Sequence, residues 1–232
     1  MEMNRIVQYK EHDSVMVAVD CIIFGFDGKE IKALLVKRGF EPELGKWSLM
    51  GGFVNYKESV DAAANRILDQ LTGLSSVYME QLYCFGDVDR DPGGRVVSVA
   101  YFALIKIDDY SQELMKEHNA KWVSLNKIPV LVFDHKQMIK VAKSRLQQKV
   151  SRQPIGFALL PDKFTLQQLQ ALYEAIYETV FDKRNFTKKI LSLGVLEKLN
   201  EKDKETSKKG SYYYVFIRER YSKLENENFT FI

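Results

Sequence analysis

Four residues constrain this chain more than any others: Gly52, Glu58, Arg66 and Gly73, spaced G-x5-E-x7-R-x6-G. Between the glycines, Val60, Ala63, Ala64, Ile67, Leu68 and Leu71 recur at helical spacing. That periodicity predicts an amphipathic helix over residues 59–72 with one buried stripe. Gly73 reads as its C-terminal cap, because glycine enters the left-handed region without steric cost. Upstream, residues 47–49 form a short extended piece that runs into Gly51-Gly52. A strand, a glycine loop and a helix therefore follow one another, and the rest of the fold must be built around that unit.

The flanking residues supply the strands. Residues 15–26 are β-branched and apolar and end at Asp27-Gly28, and residues 30–38 are a second such run. Two strands around Asp-Gly predict a hairpin. Residues 77–87 and 96–106 read as strands on either side of a loop at 89–94, and 121–125 as a further strand. Asp134 is placed to cap a helix reaching about residue 150, with Met138, Val141, Ala142 and Leu146 inward. Pro154, Gly156 and Pro161 make residues 151–163 the best linker. Beyond it, Leu166, Leu169, Leu172, Tyr173 and Ile176 define an amphipathic helix over 165–179. A second helix starts at Asp182 or Lys183 and reaches about 193. A charged turn at 201–210 and a strand at 212–218 follow. Helix, turn, helix and β-ribbon is the order of a winged helix-turn-helix. The expected fold is α+β, with one domain over residues 1–152 and a second over 153–232.

Composition narrows the partners. The hydrophobic fraction of 46% and charged fraction of 28% are ordinary for a globular protein. The longest apolar run, 15–26, is broken by Asp20 and too short to span a bilayer. Residues 1–14 lack the apolar core of a signal peptide. Cys21 and Cys84 both lie in apolar segments, which predicts two buried free thiols in a cytoplasmic protein. The three histidines share no metal-ligand spacing, and no metal or other cofactor is expected. Residues 151–232 hold 14 Lys and Arg against 11 Asp and Glu, while the preceding residues balance at 20 of each. The surplus positive charge in the last third suits an anionic partner, although solvated lysines give the same count.

The frame resembles the Nudix box, and the run Trp47-Ser48-Leu49-Met50-Gly51-Gly52 resembles that family's lead-in. The resemblance implies a Nudix-like α/β/α sandwich with a mixed sheet. It also implies that Glu58 and Arg66 pair across the loop, a structural role. In a working box three glutamates stand on one face of the helix and hold divalent metal against a pyrophosphate. Those positions here are Ile67, Gln70 and Leu71. Hydrolysis by the family's mechanism is therefore not expected, and no catalytic residue is assigned.

A fold that loses its metal site can keep its cleft. Asp20 is a lone carboxylate among valines and isoleucines, and a buried carboxylate needs a partner or a ligand. Arg38, Trp47, Gly52, Asp87 and Asp89 complete the candidate effector site. Carboxylates and an arginine beside an aromatic ring suit a polyhydroxyl ligand. A solvated loop at 87–91 and a core-packing Trp47 are the plain alternatives.

In the second helix of the C-terminal unit, Phe186 and Ile190 share one face, and Arg184 and Lys188 another beside Asn185 and Lys189. Arginine and lysine suit guanine edges and phosphates, and asparagine suits adenine. Together with residues 182–197, the whole order resembles the Nudix-related transcriptional regulators, the NrtR family. The degraded box is most similar to its sugar-responsive branch, of the arabinose-utilisation type known from Bacteroides. That resemblance implies DNA contacts at Arg184, Asn185, Thr187, Lys188 and Lys189, with Lys208 and Lys209 in the wing near phosphates. It implies a homodimer on a pseudo-palindromic operator in double-stranded DNA, repressing sugar catabolism, with L-arabinose the expected effector. The rivals are a diverged Nudix hydrolase acting on a nucleoside diphosphate sugar, and a binding protein without DNA.

Overall fold

A computed structural model describes residues 12–73, 78–107, 116–117, 119–204 and 210–224. Its spine is β1 (Met16–Phe26), which pairs in parallel with β6 (Val96–Leu104) and antiparallel with β2 (Ile31–Lys37) and β4 (Met50–Phe53). Strands β3 (Trp47–Ser48), β5 (Tyr78–Phe85) and β7 (Ala120–Ser124) complete a seven-stranded mixed sheet, with β5 at one edge. A strand covered on both faces must be apolar on both. Val19, Cys21 and Ile23 accordingly face one core, with α1 (Val60–Thr72), while Ile22, Phe24 and Phe26 face a second, with α2 (His135–Val150). Asp20 has the parity of the second set.

Local chemistry sets the element ends as expected. The Asp27 carboxylate accepts from the Lys29 and Glu30 amides at 3.0 and 2.8 Å, and Gly28 takes φ +90°, closing the β1–β2 hairpin. Ser59 caps α1 by accepting from the Ala62 amide, and Gly73 ends it at φ +65°. The α1 stripe Ala63, Ala64, Ile67 and Leu68 is buried.

The structure corrects three readings of the chain. The linker expected at 151–163 is packed: Pro154–Leu159 form a 3-10 turn in which Gly156 and Leu159 are buried, followed by buried Leu160. A Cβ at Gly156 would lie 3.4 Å from Val150 and 3.7 Å from Leu172, so the turn is wedged between α2 and the helix that follows. The charged turn starts later than expected, because Glu201–Asp203 continue a strand ladder. Cys84 is exposed on edge strand β5, and only Cys21 is buried. Burial, then Asp20, pushes the Cys21 thiol up to about 12, so it is inert at neutral pH.

The C-terminal unit comprises β8 (Phe164–Thr165), α3 (Leu166–Tyr177), α4 (Lys183–Ser192), β9 (Leu196–Asp203), β10 (Ser211–Phe216) and α5 (Arg218–Leu224). Its small sheet runs β8-β10-β9. Thr165 and Gln168 form a reciprocal capping box on α3. The core on the α2 side of the large sheet continues through Leu159, Leu169, Tyr173 and Phe186 to Tyr221 without a break. Among the described residues no helix is long and apolar enough to cross a membrane.

Candidate functional site

A cavity of about 320 Å³ opens where β1, the end of β2, β3, β4 and the start of α2 meet. Its polar wall is one hydrogen-bonded cluster. The Asp20 carboxylate accepts from the Ser98 hydroxyl at 2.6 Å and faces the Arg90 guanidinium at 3.5 Å. Arg90 donates to both oxygens of Asp134, from Nε at 2.9 Å and Nη2 at 2.8 Å. The Arg90 side chain is 2% exposed, so its guanidinium is held between two carboxylates with little access to water. Burial opposes the charge on Arg90, but the bonds and charge of Asp134, with Asp20 and Asp91 behind, raise its pKa overall.

His135 completes the wall. Its Nδ1 accepts from the Leu49 amide at 3.0 Å, which leaves the ring proton on Nε2, 3.6 Å from Asp20. Burial drives its pKa below the ordinary value against the pull of Asp20 and Asp134, so the ring is neutral at neutral pH. The glycines are steric requirements. A Cβ at Gly51 would lie 2.3 Å from the Asp20 carboxylate, and one at Gly52 would lie 2.9 Å from Ile67. The carboxylate thus occupies space that only glycine leaves open.

The rim is cationic and aromatic. Arg38 donates to the Pro42 carbonyl at 2.6 Å, and its guanidinium lies over Phe40 at 4.0 Å and Phe133 at 5.0 Å. Of the expected effector residues, Asp20, Arg38 and Gly52 line this cavity. Trp47 does not. In β3 successive side chains take opposite faces, so Ser48 enters the cavity while Trp47 packs toward the other side under the Lys37 ammonium. Asp87 and Asp89 are exposed and also stand outside it, and their loop contributes Arg90 and Asp91 instead. Ser98 and His135 carried no sequence signal of their own, and Asp134 was legible only as a helix cap.

The expected Glu58–Arg66 pair is present. Arg66 binds both Glu58 oxygens, from Nε at 3.0 Å and Nη2 at 2.5 Å, and donates to the Phe53 carbonyl at 3.1 Å. The Arg66 bonds, then the Asn55 amide, hold the Glu58 pKa down at about 2. A depressed folded-state pKa stabilises the fold above the unfolded value, and that contribution disappears as pH falls from 4.5 to about 2. Glu58→Gln is expected to flatten this acid limb, read from urea midpoints across that window. Position 67 is apolar and 3% exposed, Gln70 is turned to Arg66, and the Leu71 side chain lies outside the described residues. Among the described residues no group of three or more His, Cys, Asp and Glu is placed to hold a metal ion.

In the C-terminal unit, Asp182 caps α4 through the Asn185 amide at 2.8 Å. Phe186 and Ile190 are buried, with Phe186 against the rings of Tyr173 and Phe181. Arg184, Asn185, Lys188 and Lys189 are exposed on the opposite side, and Thr187 is half-buried. Lys198 and Lys202 flank the Tyr212 ring on the β9–β10 ribbon. Lys208 and Lys209 lie outside the described residues.

These features define a Nudix-type domain fused to a winged helix that exposes a basic helix face. Residues 15–142 match the NUDIX domain family, and residues 156–216 match the NrtR DNA-binding winged helix domain. The chain is 33% identical to the ADPR responsive transcriptional repressor NtrR of Acinetobacter baylyi, over 95% of this chain and 90% of that protein. The crystal structure of Shewanella oneidensis NrtR complexed with a 27mer DNA superimposes with a TM-score of 0.79 at 28% identity, over 93% of this chain and 97% of that one. The NUDIX domain of the same Shewanella protein, complexed with ADP ribose, matches with a TM-score of 0.51 at 32% identity, over 63% of this chain and 99% of that one. The chain belongs to the NrtR family.

Proposed function

We propose that this chain is a cytoplasmic transcriptional repressor that binds operator DNA as a homodimer and releases it when a small uncharged sugar fills the Asp20 cavity. It does so without hydrolysing nucleotides. The observation that carries the reading is the cavity wall: Asp20, held by Ser98 from behind, and Arg90 offer hydroxyl-binding groups, while Phe40 and Phe133 supply ring faces. Position 67, where the family's metal-binding acid would stand, is apolar. L-Arabinose is the first choice of sugar.

ADP-ribose is the second reading. The Acinetobacter repressor is named as ADPR responsive, and the Shewanella Nudix domain was crystallised in complex with ADP ribose. Arg38 at the rim suits a diphosphate. Titration calorimetry separates the two. The sugar reading expects binding of L-arabinose that is lost in Asp20→Ala and kept in Trp47→Ala, and binding of ADP-ribose alone would refute it. The enzyme rival expects magnesium- or manganese-dependent turnover of ADP-ribose that Glu58→Gln abolishes. The proposed reading expects none.

A further inference from the structure

We propose that residues 133–135, at the start of α2, report whether the cavity is filled, and that α2 carries the report to the turn of the helix-turn-helix. The proposal rests on the effector reading above. Three successive residues tie the helix to three walls of the cavity. Phe133 lies against Arg38, Asp134 grips Arg90, and His135 accepts from Leu49 while facing Asp20. Phe133 holds φ +49°, a left-handed backbone that a bulky aromatic side chain avoids. Such strain persists only where the surroundings over-determine it, and it gathers at ligand clamps and switches. Asp134 occupies the cap position of α2, yet its carboxylate makes no capping bond. It is committed to Arg90 instead.

The far half of α2 holds the end of α3. Gln147 Nε2 donates to the Ile176 carbonyl at 2.8 Å, the Tyr177 hydroxyl donates back to the Gln147 carbonyl at 2.8 Å, and Lys143 pairs with Glu178 at 2.6 Å. The last carbonyls of a helix have no partner within it, so the Gln147 bond satisfies one of them, and the other two contacts tie the end of α3 to α2. Glu178 begins the turn into α4 at φ +53°. A 16-residue helix is a rod of about 24 Å that links the two ends. Arg90 is shared unequally, at 2.8 Å from Asp134 and 3.5 Å from Asp20. A ligand hydroxyl entering beside Asp20 changes that division, and with it the hold of the sheet on the head of α2. A packed interface answers such a change by moving as a body.

The test is hydrogen exchange with mass-spectrometric readout on the full chain, first without ligand. Asp134→Asn keeps the side-chain shape and weakens the hold on Arg90. It is expected to speed exchange of residues 174–182 several-fold while α1 and β9–β10 keep wild-type rates. In a Gln147→Ala/Tyr177→Phe background the same substitution is expected to add nothing at 174–182. If Asp134→Asn fails to fold, Phe133→Gly, which suits the left-handed backbone and deletes the Arg38 contact, is the second perturbation. Unchanged exchange at 174–182, or an equal rise along the whole chain, would overturn the proposal. L-Arabinose and ADP-ribose are then added separately to wild type and to the far-end double variant. Equal affinity for both proteins, with altered exchange at 174–182 only in wild type, supports the relay. If neither compound binds, the effector reading fails, and the ligand-free comparison still decides the relay.

Discussion

Replacing Arg90 by alanine is expected to destabilise the protein by about 3–5 kcal/mol and to abolish effector binding. The reason is not the worth of the ion pairs, since desolvating three charges costs about as much as their attraction returns. Truncation strands Asp20 and Asp134, 9% and 20% exposed at the side chain, without their shared cation. A triple variant, Arg90→Met with Asp20→Asn and Asp134→Asn, removes every charge and is expected to recover most of the stability while still failing to bind ligand. Urea midpoints at neutral pH measure the first quantity and calorimetry the second. Equal destabilisation in the single and triple variants would assign the effect to packing, not to uncompensated charge.

Operator recognition is expected to respond almost as strongly. Arg184→Ala and Asn185→Ala should each cost about 1–3 kcal/mol on the cognate duplex and relax preference at one base pair. Lys202→Ala and Lys204→Ala, on the ribbon, should weaken cognate and scrambled duplexes alike. Each should lower the log–log salt slope by about one unit if it meets a phosphate. The contrast follows from the α4 frame: Phe186 and Ile190 bury one face, and Arg184 and Asn185 stand exposed on the face expected to meet the groove. Anisotropy titrations on both duplexes at several salt concentrations read all four variants. Indifference of Arg184 and Asn185 variants to duplex sequence would remove α4 as the reading helix.

The sequence carried the elements well because their signals are local. Ser59 and Gly73 bracket α1, Thr165 and Gln168 start α3, and Asp27-Gly28 turns the hairpin, each through bonds within a few residues. Asp20 was visible as a charge in an apolar strand, but its partners were not. Ser98 reaches it from a parallel strand and His135 from a helix, and no periodicity links residues so far apart. Trp47 failed for the opposite reason. A two-residue strand has too little alternation to assign a face, and the larger residue drew the attention that belonged to Ser48. Cys84 sits in an apolar run, yet β5 is an edge strand, and edge position is a property of the sheet, not of the segment. The connector at 151–163 has the prolines and glycine of a loop, and only the packing of α2 against α3 shows why it is buried.

Ile67 also bears on reversibility. Its side chain closes on Gly52 and belongs to the core between α1 and the sheet. Writing a glutamate back at that position would place an unpaired carboxylate where water has been expelled, at a cost of several kcal/mol. A glutamate at position 67 therefore lowers stability before any metal is bound, even though the backbone frame of the box remains in place.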